Sequence, residues 1–207
     1  MSVADDAPDE DRATYVFKQQ DALLDRCRLS ASYHGKRERF LGGTERLMQA
    51  VAALAATSAF ADIARSETNG GLGQCLALVA AVASILPLVF GFSEKARVHG
   101  QLKAQFKTTL ASMYAVGLEW TEEQLAEFKA QVAKIEAGEP PALAALVIHC
   151  QNEIAVGARQ KVYPLEWWET LLMHFWSFDG AKIVKRGARE SSGSLAQPAE
   201  QPPPAAP

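Results

Sequence analysis

The longest apolar run of the chain covers residues 72–92, where no side chain is charged. As a helix this run would be about 31 Å long, close to the hydrocarbon thickness of a bilayer. Charged residues resume immediately afterwards, with Glu94, Lys95 and Arg97. We therefore predict that residues 72–92 form a transmembrane helix around which the rest of the chain is organised.

A second, alanine-rich apolar run precedes it at residues 47–64. Its uncharged part before Asp62 would be about 22 Å long, which is short for a span, and alanine inserts weakly into membranes. Only the polar segment 65–71, which ends in two glycines, separates the two runs. Because so short a connection makes two helices lie antiparallel, we predict a transmembrane helical hairpin over residues 47–92.

Small residues recur at four-residue spacing along both predicted membrane helices. Such rows let helices approach closely where lipid competes for apolar contacts, so we predict that they form packing faces. The residues of these faces are Ala52, Ala56, Ala55, Ala59, Gly73, Ala77, Ala81 and Ser84. Pro87 removes one backbone hydrogen bond from the second helix, and we predict a kink there.

Basic residues flank the hairpin on both sides, whereas the connecting segment has only Arg65. Since loops rich in lysine and arginine stay in the cytoplasm, we predict a multi-pass protein of the inner (plasma) membrane with both termini cytoplasmic. The same basic residues would contact anionic lipids. They include Lys36, Arg37, Arg39, Arg46, Lys95 and Arg97.

The remaining pattern predicts helices outside the membrane and no strands. We expect a cytosolic helix with a basic cluster at residues 14–46, with a bend or break at Gly42 and Gly43, and a cytosolic helical region at residues 93–187. The acidic residues 1–13 and the proline- and alanine-rich residues 188–207 are predicted to be disordered. The fold class is therefore all-α, with the hairpin joined to a cytosolic bundle formed by the N- and C-terminal regions.

Two segments outside the hairpin, residues 121–141 and 164–178, have sequence patterns that predict their structure in more detail. Thr121 and Gln124 fit a helix-capping box, and the helix that follows has a narrow apolar seam typical of coiled-coil pairing. The seam residues are Leu125, Phe128, Val132 and Ile135. Gly138 is predicted to end that helix, and Pro140 and Pro141 to start the next.

Residues 164–178 contain Trp167, Trp168 and Trp176. Their helical spacing favours a core helix that closes the cytosolic bundle. Alternatively, this is an interfacial helix or a protein contact, since tryptophan favours the membrane headgroup level and the basic Lys182 and Lys185 follow. Both interpretations remain open at this point.

Composition and motifs argue against several classes of function. The 207 residues carry a net charge of −3, which predicts no basic face for nucleic acid. Three dispersed cysteines form no disulfide or zinc pattern, and no nucleophile elbow or phosphate-binding loop is present. We predict no enzymatic activity, no metal and no cofactor. Gln49, Asp62 and Gln74 lie within or beside the apolar runs, where they could line a pore, but their places near helix ends favour contact with headgroups instead.

The order of these segments is similar to that of a known family. A basic helix containing SYHGKRERF at residues 32–40 precedes the hairpin, and the polar continuation SEKARVHGQLKAQFKTTLASM follows it at residues 93–113. Over about residues 14–185 the chain resembles the SLATT superfamily of two-transmembrane effector domains associated with SMODS and SLOG proteins. The resemblance implies a bacterial antiphage effector that perturbs or permeabilises the inner membrane. Activation by a nucleotide signal or a partner protein is implied by the resemblance alone.

Three hypotheses follow from these patterns. The first is a homo-oligomeric, pore-forming or membrane-perturbing effector whose partners are membrane lipids and further copies of itself. A pore needs several copies, because two spans cannot enclose one. The second hypothesis is a non-conducting membrane anchor or scaffold that recruits a partner. The third is a soluble all-α interaction protein in which residues 72–92 form the central core helix.

Overall fold

The computed structural model describes residues 9–65, 71–157 and 162–194. Every regular element in these ranges is an α-helix, which confirms the predicted all-α class. The helices are α1 Asp9–Arg65, α2 Gly71–Phe90, α3 Phe92–Val116, α4 Glu122–Glu136, α5 Ala144–Gly157, α6 Trp167–Leu172 and α7 Gly180–Ser194. Their contacts divide the chain into two compact units, unit 1 (Met1–Glu139) and unit 2 (Pro140–Pro207).

The first helix is continuous over its 57 residues, a length of about 85 Å. Gly42 and Gly43 lie inside it, so a break at these residues is wrong, whereas the predicted bend stays a prediction. Each glycine costs about 1 kcal/mol relative to alanine in a helix interior. The packing of α1 against both α2 and α3 offsets that cost. The helix also begins at Asp9, within the segment predicted to be disordered, of which residues 1–8 lie outside the described ranges.

The helices α2 and α3 run back along α1 in the opposite direction. A Cβ atom built on Gly73 would lie 2.6 Å from Asp62 Oδ2, and one built on Gly100 would lie 2.9 Å from Glu38 Oε1. Later residues of the returning pair therefore meet earlier residues of α1. The absence of a side chain at these two glycines lets polar side chains of α1 pack against the neighbouring backbone.

Gly91 joins α2 to α3 in a left-handed conformation with φ 60° and ψ 42°. Its N–H donates to the carbonyl oxygen of Pro87 at 3.0 Å, and its own carbonyl oxygen accepts from the N–H of Lys95 at 3.0 Å. Helical hydrogen bonds thus continue on both sides of the junction. Glycine suits this residue because a side chain would be strained at positive φ.

The fourth helix lies beside the N-terminal half of α1 and runs parallel to it. Three polar pairs at heptad intervals fix their register, as in coiled coils. They are Arg12 with Glu122, Gln19 with Lys129, and Arg26 with Glu136. Later residues of α1 pair with later residues of α4, and this order establishes the parallel direction.

The core of unit 1 lies between α3, α4 and the part of α1 before residue 47, which together form what we call the stalk. The predicted capping box is confirmed, since the Thr121 and Gln124 side chains each bond the other residue's backbone N–H. The predicted seam of α4 is also confirmed, because Leu125, Phe128 and Val132 are buried and Ile135 packs against them. Further core residues come from the other two helices: Val16, Leu23, Leu24, Cys27, Ala31, Phe106, Leu110 and Met113.

Unit 2 consists of α5, α6 and α7 around a small core of Ala145, Ile148 and Ile183. The helix α5 begins at Ala144, a little after the predicted start at Pro140 and Pro141. Asn152 bridges α5 to the following segment, because its side-chain amide bonds both the N–H and the carbonyl oxygen of Tyr163. The last helix extends to Ser194, so the first residues of the predicted disordered tail are helical.

Candidate membrane-inserting site

Large apolar side chains are exposed at one end of unit 1. We call this end the apolar tip, which comprises residues 47–62 of α1 and residues 72–90 of α2. The most exposed are Leu88 at 82%, Phe60 at 74% and Val89 at 71%. The others are Leu47, Val51, Leu54, Leu72, Leu78, Val79, Val82, Ile85 and Phe90. An apolar surface this continuous is typical of a site that another apolar phase or a partner covers.

One helical stretch of the described chain, Leu72–Phe90, is long and apolar enough to cross a bilayer. Only 11% of it is buried inside the protein. The central core helix of a soluble domain is mostly buried, so the exposure of this stretch favours a lipid environment. Within the described ranges, the second span predicted at residues 47–64 is not long and apolar enough to meet the same criterion.

Small residues form the contact between the two helices of the apolar tip. Ala55 and Ala59 of α1 are buried there, as are Gly73, Ala80 and Ala83 of α2. These side chains place little bulk between the helices, so the backbones can approach closely.

The predicted packing rows divide between this contact and the outer surface. Of the predicted residues, Ala55, Ala59 and Gly73 are buried and Ala52 is half-buried. Four further predicted residues are exposed: Ala56, Ala77, Ala81 and Ser84. Residues one position apart in a helix point about 100° away from each other, so neighbouring rows cannot both face the same partner helix.

Two hydroxyl groups in the apolar tip are bonded within their own helix. Thr57 Oγ1 donates to the carbonyl oxygen of Ala53 at 2.8 Å, and Ser84 Oγ donates to that of Ala80 at 2.7 Å. In a hydrocarbon environment a free donor would cost several kcal/mol, and these bonds remove that cost.

A groove opens at the end of the apolar tip nearest the stalk, and we call it the polar groove because its mainly apolar lining includes several polar side chains. It lies between α1 and α2, has a volume of about 490 Å³, and is lined by Glu45, Gln49, Ser84 and Glu94 together with smaller residues. Pro87 also lines this groove, within α2, and the predicted kink at this residue stays a prediction. Carboxylates and an amide beside a lipid-facing surface are costly unless water or another chain contacts them.

The predicted basic residues lie where the apolar tip meets the stalk. Arg39, Arg46, Lys95 and Arg97 are exposed, whereas Lys36 and Arg37 are half-buried. Their role in topology and lipid contact stays a prediction. The burial of Arg37 lowers the pKa of its guanidinium, because removal from water disfavours the charged form.

A buried histidine pair connects α1 to α3 inside the stalk. His34 and His99 are 1% and 5% exposed, and their Nδ1 atoms lie 2.8 Å apart. His34 Nε2 lies 3.0 Å from Glu139 Oε1. Because a carboxylate only accepts, we assign the proton of His34 to Nε2, so that His34 Nδ1 accepts from the N–H of His99.

The histidine pair has no signal in the sequence, since its members are 65 residues apart. Phe106 stacks on the His34 ring, and Tyr33 meets both rings edge-on. Burial, with nearby His34 and Arg37, lowers the pKa of His99 to about 4. Within the part of the chain that the structure describes, no group of three or more His, Cys, Asp or Glu side chains is placed to hold a metal ion.

The tryptophans of α6 and the turn after it are exposed rather than buried. Trp167 is 76% exposed, Trp176 is 68% exposed and Trp168 is 40% exposed. These values do not fit the interpretation of this segment as a core helix. In contrast, Trp120 of the stalk is buried against Phe128.

Comparison of the chain with protein-family models, with curated proteins and with solved structures finds no match. Membership of the SLATT superfamily therefore stays a prediction.

Proposed function

We propose that this chain is a plasma-membrane protein that inserts its apolar tip as a two-helix hairpin and acts there as an oligomeric, membrane-perturbing effector. The observation that carries the proposal is the contrast along unit 1. Most exposed side chains of the stalk are charged or polar, with scattered exceptions such as Phe17 and Tyr114, whereas exposed leucine, valine and phenylalanine side chains cover the apolar tip. A bilayer supplies an apolar environment of matching thickness.

The contact between α1 and α2 supports the proposal of two spans rather than one. The α1 half of the apolar tip also exposes Leu47, Leu54 and Phe60, while Ala55 and Ala59 hold it against α2. Separation of the helices would lose this packing, so insertion of α2 would carry α1 into the bilayer with it.

Association of several copies is supported by the polar groove. Gln49 and Ser84 line its wall within the apolar tip, and Glu45 and Glu94 lie at its end nearest the stalk. A neighbouring copy that covered this groove would remove its polar groups from lipid. Copies arranged in a ring would then place these polar residues around a shared path for water or ions.

The insertion step is tested by aspartates on the face of α2 that lipid would cover. We expect the double variant Leu78→Asp/Val82→Asp to leave the membrane fraction, because each charge near the bilayer centre costs about 3 kcal/mol. The measurement is resistance of the protein to extraction by alkaline carbonate. Both side chains are exposed in the structure, at 66% and 47%, so a soluble protein would tolerate the same changes.

Leu118→Asp is the matched control, since Leu118 is 82% exposed in the loop between α3 and α4 and lies far along the chain from the apolar tip. We expect this variant to remain carbonate-resistant. If the double aspartate variant stays in the membrane, or the unmodified chain is extracted without detergent, insertion through α2 is wrong.

The effector step is tested separately with a membrane-potential dye during induced expression in bacteria. We expect depolarisation by the unmodified chain, and a loss of it when Gln49→Leu and Ser84→Ala remove polar groups of the groove but preserve insertion. A chain that inserts and leaves the potential unchanged, with and without a nucleotide trigger, would instead be a non-conducting anchor or scaffold.

A further inference from the structure

The segment containing α6 presents an unusually apolar surface for so small a unit. Trp167 and Leu171 lie one helical turn apart, as do Trp168 and Leu172, so all four share one side of the helix. Phe175, one turn beyond Leu171, extends the same side with 65% of its surface exposed. Trp176, in the turn after α6, is also exposed, and we call the exposed apolar surface of this segment the aromatic face, which consists of Trp167, Trp168, Leu171, Leu172, Phe175 and Trp176.

A buried ion pair holds the aromatic face outward. Glu169, on the opposite side of α6, is 4% exposed and accepts a 2.5 Å hydrogen bond from Nη2 of Arg186 on α7. The same nitrogen donates to the carbonyl oxygen of Pro164 at 2.9 Å. Burial of Glu169 opposes its ionisation, but the bonds from Arg186 and from the Glu166 N–H outweigh this and lower its pKa. Because these bonds turn Glu169 inward, the aromatic face points away from the core.

The attachment point of unit 2 lies near the apolar tip. The helix α4 runs parallel to α1, and Glu139, which follows α4, contacts His34 of α1. From His34 to Leu47, where the apolar tip begins, α1 rises about 20 Å. Pro140, the first residue of unit 2, follows Glu139 directly, so the chain leaves unit 1 about 20 Å along α1 from the start of the apolar tip.

We infer that unit 2 docks its aromatic face into the headgroup layer of the bilayer that holds the apolar tip. Tryptophan suits this layer, because its ring is apolar and its indole N–H can bond headgroups or water. Lys182 and Lys185 of α7 are exposed and can contact lipid phosphates. The tether makes docking intramolecular, which raises the effective concentration of the membrane surface around unit 2. The inference rests on the proposed membrane insertion of the apolar tip.

The test uses the full chain in vesicles of phosphatidylcholine and phosphatidylglycerol whose acyl chains carry bromine near the headgroup end. Trp120→Phe removes the buried stalk tryptophan, so that only the three tryptophans of the aromatic face emit. We expect brominated vesicles to quench most of this emission. Leu171→Ser/Phe175→Ser, which retains all three tryptophans, should abolish the quenching, and Leu118→Ser, an exposed apolar residue of unit 1, should leave it intact.

A dye on Cys75 of α2 reports insertion in the same sample. Cys75 is exposed, whereas Cys27 and Cys150 are buried and burial raises the pKa of the Cys27 thiol to about 11, so labelling favours Cys75. If the dye senses lipid while iodide in the water quenches the tryptophans, the aromatic face stays in water and the docking inference is wrong. If neither bromine nor iodide quenches them, protein covers the face, either from a second copy or a partner, which also overturns the inference. A Cys75 dye that senses water contradicts the proposed insertion instead.

Discussion

The contact between His34 and His99 permits only certain proton arrangements. At 2.8 Å the two Nδ1 atoms share one proton, since two N–H groups pointing at each other would repel. Glu139 accepts from the other nitrogen of His34, and Arg37 adds positive charge nearby. Protonation of His99 would therefore place a further positive charge in a buried site close to Arg37.

This arrangement predicts a stalk that loses stability in acid. Folded His99 has a pKa of about 4 against an ordinary value of 6.5, so between these values the unfolded chain binds more protons. The stabilising effect of neutral His99 is complete above pH 6.5 and decreases as the pH falls towards 4. Between pH 7 and 5 we expect a loss of roughly 2 kcal/mol, measured as a lower thermal unfolding temperature in detergent.

His99→Gln provides the comparison, because glutamine can donate to His34 Nδ1 and does not titrate in this range. Its unfolding temperature should change less between pH 7 and pH 5 than that of the unmodified chain. An equal acid slope in both proteins would show that other groups, such as the carboxylates of the α1–α4 pairs, account for the loss.

At the scale of elements, the packing of α1 on α2 depends on the absence of bulk. Ala55 is 6% exposed and Ala83 is 4% exposed, so each fills its space in the contact completely. Larger side chains would push the helices apart or adopt strained rotamers. The neighbouring Ala56 and Ala81 face outward and have room for more atoms.

We therefore predict that Ala55→Leu destabilises the hairpin by about 1–3 kcal/mol, whereas Ala56→Leu has little effect. The two variants add the same atoms to adjacent residues of one helix, so they differ only in the face that they alter. Thermal unfolding of both variants in one detergent compares them. Equal effects would mean that the two helices do not pack through Ala55.

Some elements were predictable from the sequence because their signals are local. The capping box of Thr121 and Gln124 and the seam from Leu125 to Ile135 depend on residues within one helix, and both agree with the structure. The passage of α1 through Gly42 and Gly43 depends instead on helices that pack beside it. In the same way, which row of alanines becomes buried depends on the rotation of α1 against α2.

In the candidate site, too, some features follow from local sequence and others depend on packing between helices. Exposure of the apolar tip agrees with the apolar pattern of residues 72–92. A long run without charged residues is a local signal, so the sequence alone could predict it. The histidine pair and the aromatic face depend on tertiary structure. The first requires the register of α3 on α1, and the second requires the Glu169–Arg186 ion pair between α6 and α7.

At the scale of the whole molecule, the proposed hairpin predicts a topology that can be measured. We expect Thr68→Cys, in the segment between α1 and α2, to react with a membrane-impermeant maleimide in intact cells. Leu118→Cys should react only after lysis, because the stalk would be cytoplasmic. Both variants carry Cys75→Ala to remove the native exposed thiol. Reaction of Leu118→Cys in intact cells would reverse the proposed orientation.

One uninterrupted helix extends from Arg12, at the α4 end of the stalk, to Phe60 near the end of the apolar tip. Over these residues it is about 72 Å long, and no flexible joint interrupts it. It therefore couples the two ends of unit 1 mechanically. A rotation of α1 at the Arg12–Glu122 end of the stalk would also displace the alanine contact and the polar groove.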